Sequence, residues 1–442
     1  MQRVTLVAMA TMLVALPAFA QTAGAPGPAA APAPHQAAPA TTEATKAKPA
    51  AAASTPESRS AAALALSHEP TYDQGTAQRI REAALSYSDL AVRGGWPAMP
   101  ADAKFALGVQ GANDDLLRKR LIITGDLATD KATGAYDDAL AEAVKRFQVR
   151  HGLAATGTVT PRTLAALNVP VQKRIKQLEA SLERLAQTDF QFGQRYVVVN
   201  IPATFAEAVE DDKVVRRYRV IVGKTEKPSP TLTAEITSVN LNPTWTVPSS
   251  ITKTEISAHM RKDPTYLSRM HMEVLDAHDN PVDSASVDWS GNHAPNVTVR
   301  QQNGTWNALG AVKIDMPNSY SVYMHDTNQH NLFSDDYRFD SHGCSRVDNV
   351  RDLAAWLLKD QPQWTRAAID AAIATGQRQD VRMLKKVPVA WIYLTAWMTK
   401  DQTVQFRNDI YDQDQQLLEA TAEEAAFFNK AVEHPLTAHL AQ

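Results

Sequence analysis

The one cysteine of the 442-residue chain, Cys344, stands in Ser341-His342-Gly343-Cys344-Ser345-Arg346. A second histidine, His325, follows a strand-like run in Tyr323-Met324-His325-Asp326. A lone thiol with imidazole in reach is the sequence-level form of a Cys/His nucleophile. A free thiol, with a pKa of about 8.5, is mostly protonated near neutral pH, and attack on a carbonyl needs the thiolate. The site must therefore supply a base or a positive field. His325 can take the proton, and a helix beginning within a few residues of Cys344 would aim its positive N-terminal end at the thiol. Arg346 adds a fixed charge, directed either at the thiolate or at a substrate carboxylate that its planar fork would suit. Gly343, without a Cβ, lets backbone N–H groups turn toward a developing oxyanion. That role falls to the amides of Gly343 and Cys344, with the Tyr323 hydroxyl as a third donor. A zinc set of Cys344, His325, His330 and His342 is disfavoured, because tight Cys/His spacing and HExxH are both absent. No metal and no cofactor are expected.

The elements that must hold these residues read as an α+β, multidomain chain. From Arg195 the pattern is that of short β-branched strands: Tyr196–Ile201, Val214–Val222, Ile236–Asn240, Ala311–Ile314, Tyr320–Met324 and a last run from Val387 to Trp397. Residues 195–411 are expected to form a mostly-β, sandwich-like or barrel-like catalytic domain, interrupted at about 249–299 by a segment too long for an ordinary loop. That segment is expected to be a cap over the site. Upstream, 67–111 reads as helical scaffold, 112–170 as a small three-helix module, and 171–194 as a connecting helix. In the module, Gly152 suits a left-handed position after one helix, and Thr160-Pro161 supplies an N-cap and N1 proline for the next. Val350, Leu353, Ala354, Leu357 and Leu358 outline an amphipathic helix after the cysteine, capped by Asp348 or Asn349. Residues 412–442 read as a polar helical tail. Gly223-Lys224-Thr225 is not a phosphate loop, since Tyr218 occupies the place of the first glycine.

Composition narrows the partners. With 44% hydrophobic and 21% charged residues and a net charge of −3, the chain carries no basic bias, and nucleic acid is not an expected partner. Arg3, the apolar run Val4–Leu16 and Ala18-Phe19-Ala20 read as a signal peptide over residues 1–20. That run is too short to span roughly 30 Å of hydrocarbon, and no membrane span is expected after cleavage. Residues 21–66, rich in Ala and Pro, read as a disordered linker. A cysteine without an intramolecular partner in an exported chain is then inert, intermolecular or used.

The ordered phrases Tyr323-x-His325-Asp326 and Ser341-His342-Gly343-Cys344-x-Arg346 closely resemble the catalytic signature of the L,D-transpeptidases. Arg300-Gln301, Gly304, Asn307-Ala308-Leu309-Gly310 and Lys313 resemble the large periplasmic Gram-negative branch, and Asn242 to Pro248 its entry to the cap. Ala143 to Gln148, Gly152-Leu153, Gly157 and Val159 to Leu164 resemble a peptidoglycan-binding module, with a longer polar insert at Thr129–Gly134. The resemblance implies Cys344 as nucleophile and His325 as base, with His342 and Gly343 shaping the site. It implies Arg346, Tyr323, Asn307 and Trp245 as substrate-binding residues. The implied reaction forms 3→3 crosslinks between peptidoglycan stems of the meso-diaminopimelate type, through a thioester with release of D-alanine. Carbapenems are the implied covalent inhibitors and the periplasm the implied location. The alternatives are an L,D-carboxypeptidase, attachment of a wall-associated protein partner, and a non-catalytic wall-binding scaffold.

Overall fold

The computed structural model describes residues 68–291 and 296–433, all of which belong to one compact unit. The expected signal peptide and all of the expected linker lie outside the described residues.

Among the described residues five α-helices precede the sheet: α1 (Thr76–Val92), α2 (Asp114–Ile123), α3 (Asp138–Arg150), α4 (Pro161–Leu167) and α5 (Val171–Ala186). The helical part is thus larger than the three-helix module expected. α2, α3 and α4 enclose their own core of Leu117, Leu121, Leu140, Val144, Phe147 and Leu167. α1 and α5 instead bury Ile80, Leu178 and Leu185 with Tyr196 and Val198 of the sheet, because their apolar stripes have no other partner. Asp137 and Thr160 accept the N–H groups of Leu140 and Thr163, and so set the starts of α3 and α4. Arg150 pairs with Asp126 through two short bonds (2.7 and 2.6 Å), fastening the end of α3 to the turn after α2. Both groups are buried, so removing one partner would cost about 3–5 kcal/mol. The polar insert wraps around buried Arg118, which donates to the carbonyls of Lys131, Gly134 and Ala135.

The sheet is built from β1 (Arg195–Asn200), β2 (Phe205–Glu210), β3 (Lys213–Gly223) and β4 (Leu232–Leu241), followed by the inserted segment. That segment contains β5 (Trp245–Thr246), α6 (Ser257–Lys262), β6 (Met272–Leu275), β7 (Pro281–Val282) and β8 (Thr298–Gln301). The main sheet resumes with β9 (Val312–Asp315), β10 (Met324–His325), β11 (Phe339–Ser341) and β12 (Ser345–Val347). Then come α7 (Val350–Leu357), α8 (Arg366–Ala374), β13 (Gln379–Ile392), the hairpin β14 (Ala396–Met398) with β15 (Val404–Phe406), and α9 (Gln413–Glu433).

Hydrogen bonding runs without a break through β3-β12-β10-β9-β4-β13-β1-β2, and β2 then pairs back onto β3. The sheet closes on itself, so of the sandwich- and barrel-like forms expected it takes the barrel-like one. Closure works because β3 is long: its first part pairs with β2, and Val220 and Ile221 pair with β12. Inside lie Val197, Val199, Val220, Ile314, Met324 and Val347, joined by Leu353 and Leu357 of α7. The insert has its own four-stranded sheet, order β5-β8-β6-β7, and its own core around Ile256, Leu267, Val274 and Val299.

Other expectations shift at their edges. β2 has no forecast, since its Ala206 and Ala208 lack the β-branched signal. Of Tyr320–Met324 only Met324 is in strand, because the Asn318 side chain engages the backbone of Tyr320 and Val322 and holds a turn there. The run Val387–Trp397 is split: β13 begins earlier, at Gln379, and the chain leaves it before β14. Asn349 occupies the N-cap of α7 with φ +52° but offers no side-chain bond.

Candidate active site

Register assembles the site. β10 and β12 run parallel with Met324 opposite Ser345 and His325 opposite Arg346, so Tyr323 and Cys344 fall opposite one step earlier. Alternation then sends Met324, Ser345 and Val347 to one face and Tyr323, His325, Cys344 and Arg346 to the other. β9 adds Lys313, opposite His325, and β4 adds Asn240, opposite Lys313. The Lys313 ammonium lies 4.6 Å from the centre of the Tyr323 ring and 2.6 Å from Asp315. α7 packs in the interior, and β12 stands between it and Cys344, so the helix end expected to polarise the thiol is on the wrong side of the sheet.

The turn that carries the cysteine is held from several directions. Ser341 donates its hydroxyl to the Cys344 carbonyl (2.5 Å) and accepts the Gly343 N–H (3.1 Å). Gly343 therefore does not offer its amide as an oxyanion donor. Its own requirement is conformational, a φ of +112° that residues with side chains rarely adopt. The Cys344 N–H makes no bond to protein among the described residues and remains a candidate donor. Buried Ser229, which sequence reasoning missed, donates to the Gly343 carbonyl (2.7 Å) and accepts the Gly223 N–H (2.9 Å). No local pattern marks such a serine; only the fold brings it to the turn.

Cys344 is partly exposed and His325 is buried. Burial pushes the thiol up to about 11, against the opposing pull of a hydrogen bond from the Tyr323 backbone and the charges of Lys313 and Arg346. Burial first, then Arg346 and to a smaller degree Lys313, bring the imidazole down to about 3, against a backbone contact with Asp326 that favours the cation. Both groups are thus neutral near pH 7. The His325 Nδ1 has no hydrogen-bond partner among the described residues, leaving a buried acceptor open for a proton.

Arg346 donates to the Gln329 side chain (3.2 Å) and the Asp340 carbonyl (3.3 Å) and forms no ion pair among the described residues. Its charge is oriented and uncommitted. Burial holds the Tyr323 phenol protonated, against a smaller opposing influence of the neighbouring Trp245 side chain. Trp245 thereby links β5 of the insert to the site. A second link is His342, whose Nε2 donates to Glu255 of the insert at 2.5 Å.

Asn307, expected to bind substrate, is buried and turned away. It donates to the carbonyls of Pro243 and Gln302 and accepts the Leu309 N–H, so its amide is used up in shaping the loop before β9. The nearby Gly310 has φ +59°, and a Cβ there would lie 2.5 Å from Asp326, whose carboxylate accepts the Ala311 N–H (2.9 Å). Asn242, at the entry to the insert, donates to the carbonyls of Ala372, Ile373 and Gln377, satisfying the end of α8. Among the described residues no three His, Cys, Asp or Glu side chains converge as metal ligands, and no helix is long and apolar enough to cross a membrane.

Comparison with known proteins places this site in context. Residues 194–376 match the family described as "L,D-transpeptidase catalytic domain", and residues 110–167 match a "putative peptidoglycan binding domain". A "putative L,D-transpeptidase" of Haemophilus influenzae is 33% identical over 223 residues, covering 50% of this chain and 45% of that protein. The chain thus spans about half the length of that curated relative. Among solved structures, an L,D-transpeptidase from Mycobacterium smegmatis shares 16% identity over 45% of this chain and 58% of its own, with TM-score 0.24. One from Stackebrandtia nassauensis shares 14% over 59% of this chain and 91% of its own, with TM-score 0.25. The chain therefore carries an L,D-transpeptidase-like domain, which includes Cys344 and His325, beside a peptidoglycan-binding-like module spanning α2–α4.

Proposed function

We propose that this chain is an exported, periplasmic transpeptidase that joins peptidoglycan stems by 3→3 crosslinks through a Cys344 thioester. The observation that carries the reading is the neutral thiol–imidazole pair on one sheet face, flanked by the uncommitted guanidinium of Arg346. Sγ adds to the carbonyl carbon of the third stem residue as its proton passes to His325. The tetrahedral intermediate, its oxyanion facing the Cys344 N–H and the Tyr323 hydroxyl, collapses to a thioester. D-Alanine leaves with the proton from His325. The side-chain amine of a neighbouring meso-diaminopimelate then attacks the thioester, gives up a proton to His325, and returns the thiol.

The resting site has a weak base, because burial first, and then Arg346 and Lys313, disfavour the imidazolium. A donor stem brings a terminal carboxylate, and that anion against Arg346 offsets the opposing charge. His325 becomes more basic when substrate is bound, and the thiol stays protonated until then. The insert, joined to the site through Trp245 and Glu255, would close over the stem and favour amine over water as acceptor.

The test is incubation with disaccharide-tetrapeptide followed by mass spectrometry. A crosslinked dimer that has lost D-alanine is expected. Shortened stems without dimer would overturn crosslinking in favour of hydrolysis, and unchanged stems with retained wall binding would leave a scaffold.

A further inference from the structure

A large cavity lies away from Cys344. About 1060 Å³ in volume, it opens where the end of α3 meets α1, strands β2 and β3, and the β14–β15 hairpin. Its walls carry nine arginines and no lysine, against five carboxylates. Some of that charge is answered: Arg150 by Asp126, and Arg217 by Glu207 at 2.7 Å. Two deep guanidiniums are not. Arg174 donates only to the Gln177 side chain and the Ala166 carbonyl, and lies over the Phe406 ring. Arg407 donates only to the carbonyls of Arg150 and Phe406, and lies over Trp397. Neither forms an ion pair among the described residues, and the Nε of each is buried without a partner.

Burying a guanidinium without a counter-charge is costly, and each of these residues could be replaced by an apolar one if packing were its purpose. Burial chiefly, with repulsion from neighbouring arginines, brings both down to about 9 against smaller opposing influences of Tyr87 on Arg174 and Glu207 on Arg407, so both remain cations near neutral pH. Arginine's fork matches carboxylate and phosphate oxygens, and an arginine-only lining is what recognition of such groups uses.

We propose that this cleft is a second, non-catalytic binding site for an anionic segment of peptidoglycan, holding the carboxylates of a stem peptide between the helical module and the closed sheet. The inference rests on the peptidoglycan reading above, but on none of the residues of the reaction. Connection to the site is short: Arg338 and Phe339 line the cleft, and β11 leads from there to Ser341 and the cysteine turn. Five residues of extended chain span at most roughly 18 Å. A polymer with repeated stems can therefore occupy both places at once, one stem held and another presented to Cys344.

The test uses the full chain carrying Cys344→Ala, with disaccharide-tetrapeptide as probe, binding read by calorimetry and the footprint by hydrogen exchange. Slowed exchange at residues 150–155 and 403–410 is expected, besides any around 323–346. Arg407→Gln, or amidation of the stem carboxylates, should weaken cleft binding about tenfold, the effect of losing one charge-assisted bond. Arg407→Lys should restore most of it, which separates lost charge from lost folding; Arg93→Gln, at the exposed rim, gives a second variant with little risk to the fold and a smaller weakening. Protection confined to 323–346, or equal affinity for free and amidated stems, would overturn the proposal. Inorganic pyrophosphate that displaces the probe at lower concentration than free tetrapeptide would overturn the stem assignment in favour of a phosphate. Loss of crosslinking by the wild-type chain with the cleft footprint intact would sink the proposed reaction and leave the cleft standing.

Discussion

Around Cys344, Lys313 and Arg346 share a sheet face with a neutral thiol and a neutral imidazole. In the cleft beside α3, Arg174 and Arg407 share the walls with the buried imidazole of His151 and with no thiol. Both regions hold buried positive charge with incomplete compensation, yet the consequences differ. At the sheet face the charge acts on a proton: it opposes the imidazolium, favours the thiolate, and so couples reactivity to whichever anion arrives. In the cleft no thiol shares the walls, the His151 imidazole is buried and tied through Nδ1 to the Phe147 carbonyl, and the proposed use of the charge is to hold. The comparison shows that a cationic pocket becomes reactive through what shares its face.

The sharpest way to break this comparison is to remove the reacting pair. Cys344→Ala should lower kcat/KM for crosslinking by about 10⁴-fold or more, and His325→Ala by about 10²–10⁴-fold. Either variant retaining near-normal rates would show that the sheet face is not the reacting one. Next is Arg346→Met, expected to reduce kcat/KM about ten- to a hundredfold through loss of a charge-assisted contact. Arg407→Met, assayed with a small soluble donor, should leave kcat unchanged. Equal losses in the two variants would erase the distinction between the regions.

Proton behaviour sharpens it further. The thiol is raised to about 11, so its neutral form persists through neutral pH and the thiolate appears only as pH climbs toward that value. Alkylation of Cys344 should therefore accelerate roughly tenfold per pH unit between 8 and 10, without a plateau. The imidazole is depressed to about 3, so it is already unprotonated at pH 5, and kcat/KM should show no acid limb near 6.5. A plateau in alkylation near pH 7 would mean a preformed ion pair instead. The smallest effect is expected at the link to the insert. Glu255→Gln weakens the bond from His342 and should raise KM about two- to fivefold with little change in kcat.

Much of the reacting centre could be read from residue types. The lone cysteine, Gly343 and two histidines in ordered phrases need no tertiary information, because their chemistry is intrinsic and their spacing is local. The helices after Thr160 and through Val350–Leu357 were equally legible from caps and apolar period. Asn307 shows where that kind of reasoning stops. Its place in a motif pointed to substrate, but its amide is spent on Pro243, Gln302 and Leu309, a fact that depends on how a loop folds back.

What the amino-acid order determined by itself was therefore the cast: a thiol, an imidazole, a guanidinium, and alternating strands able to present them. Only the tertiary structure decided that β9, β10 and β12 lie side by side in one register, which sets Lys313 beside His325 and strips water from the pair. It alone decided that α7 lies on the far side of the sheet and that arginines from separate segments meet in one cleft. The physical reason is that proton affinity and charge compensation depend on distance and solvent exclusion, and both are set by contacts between segments far apart in the chain.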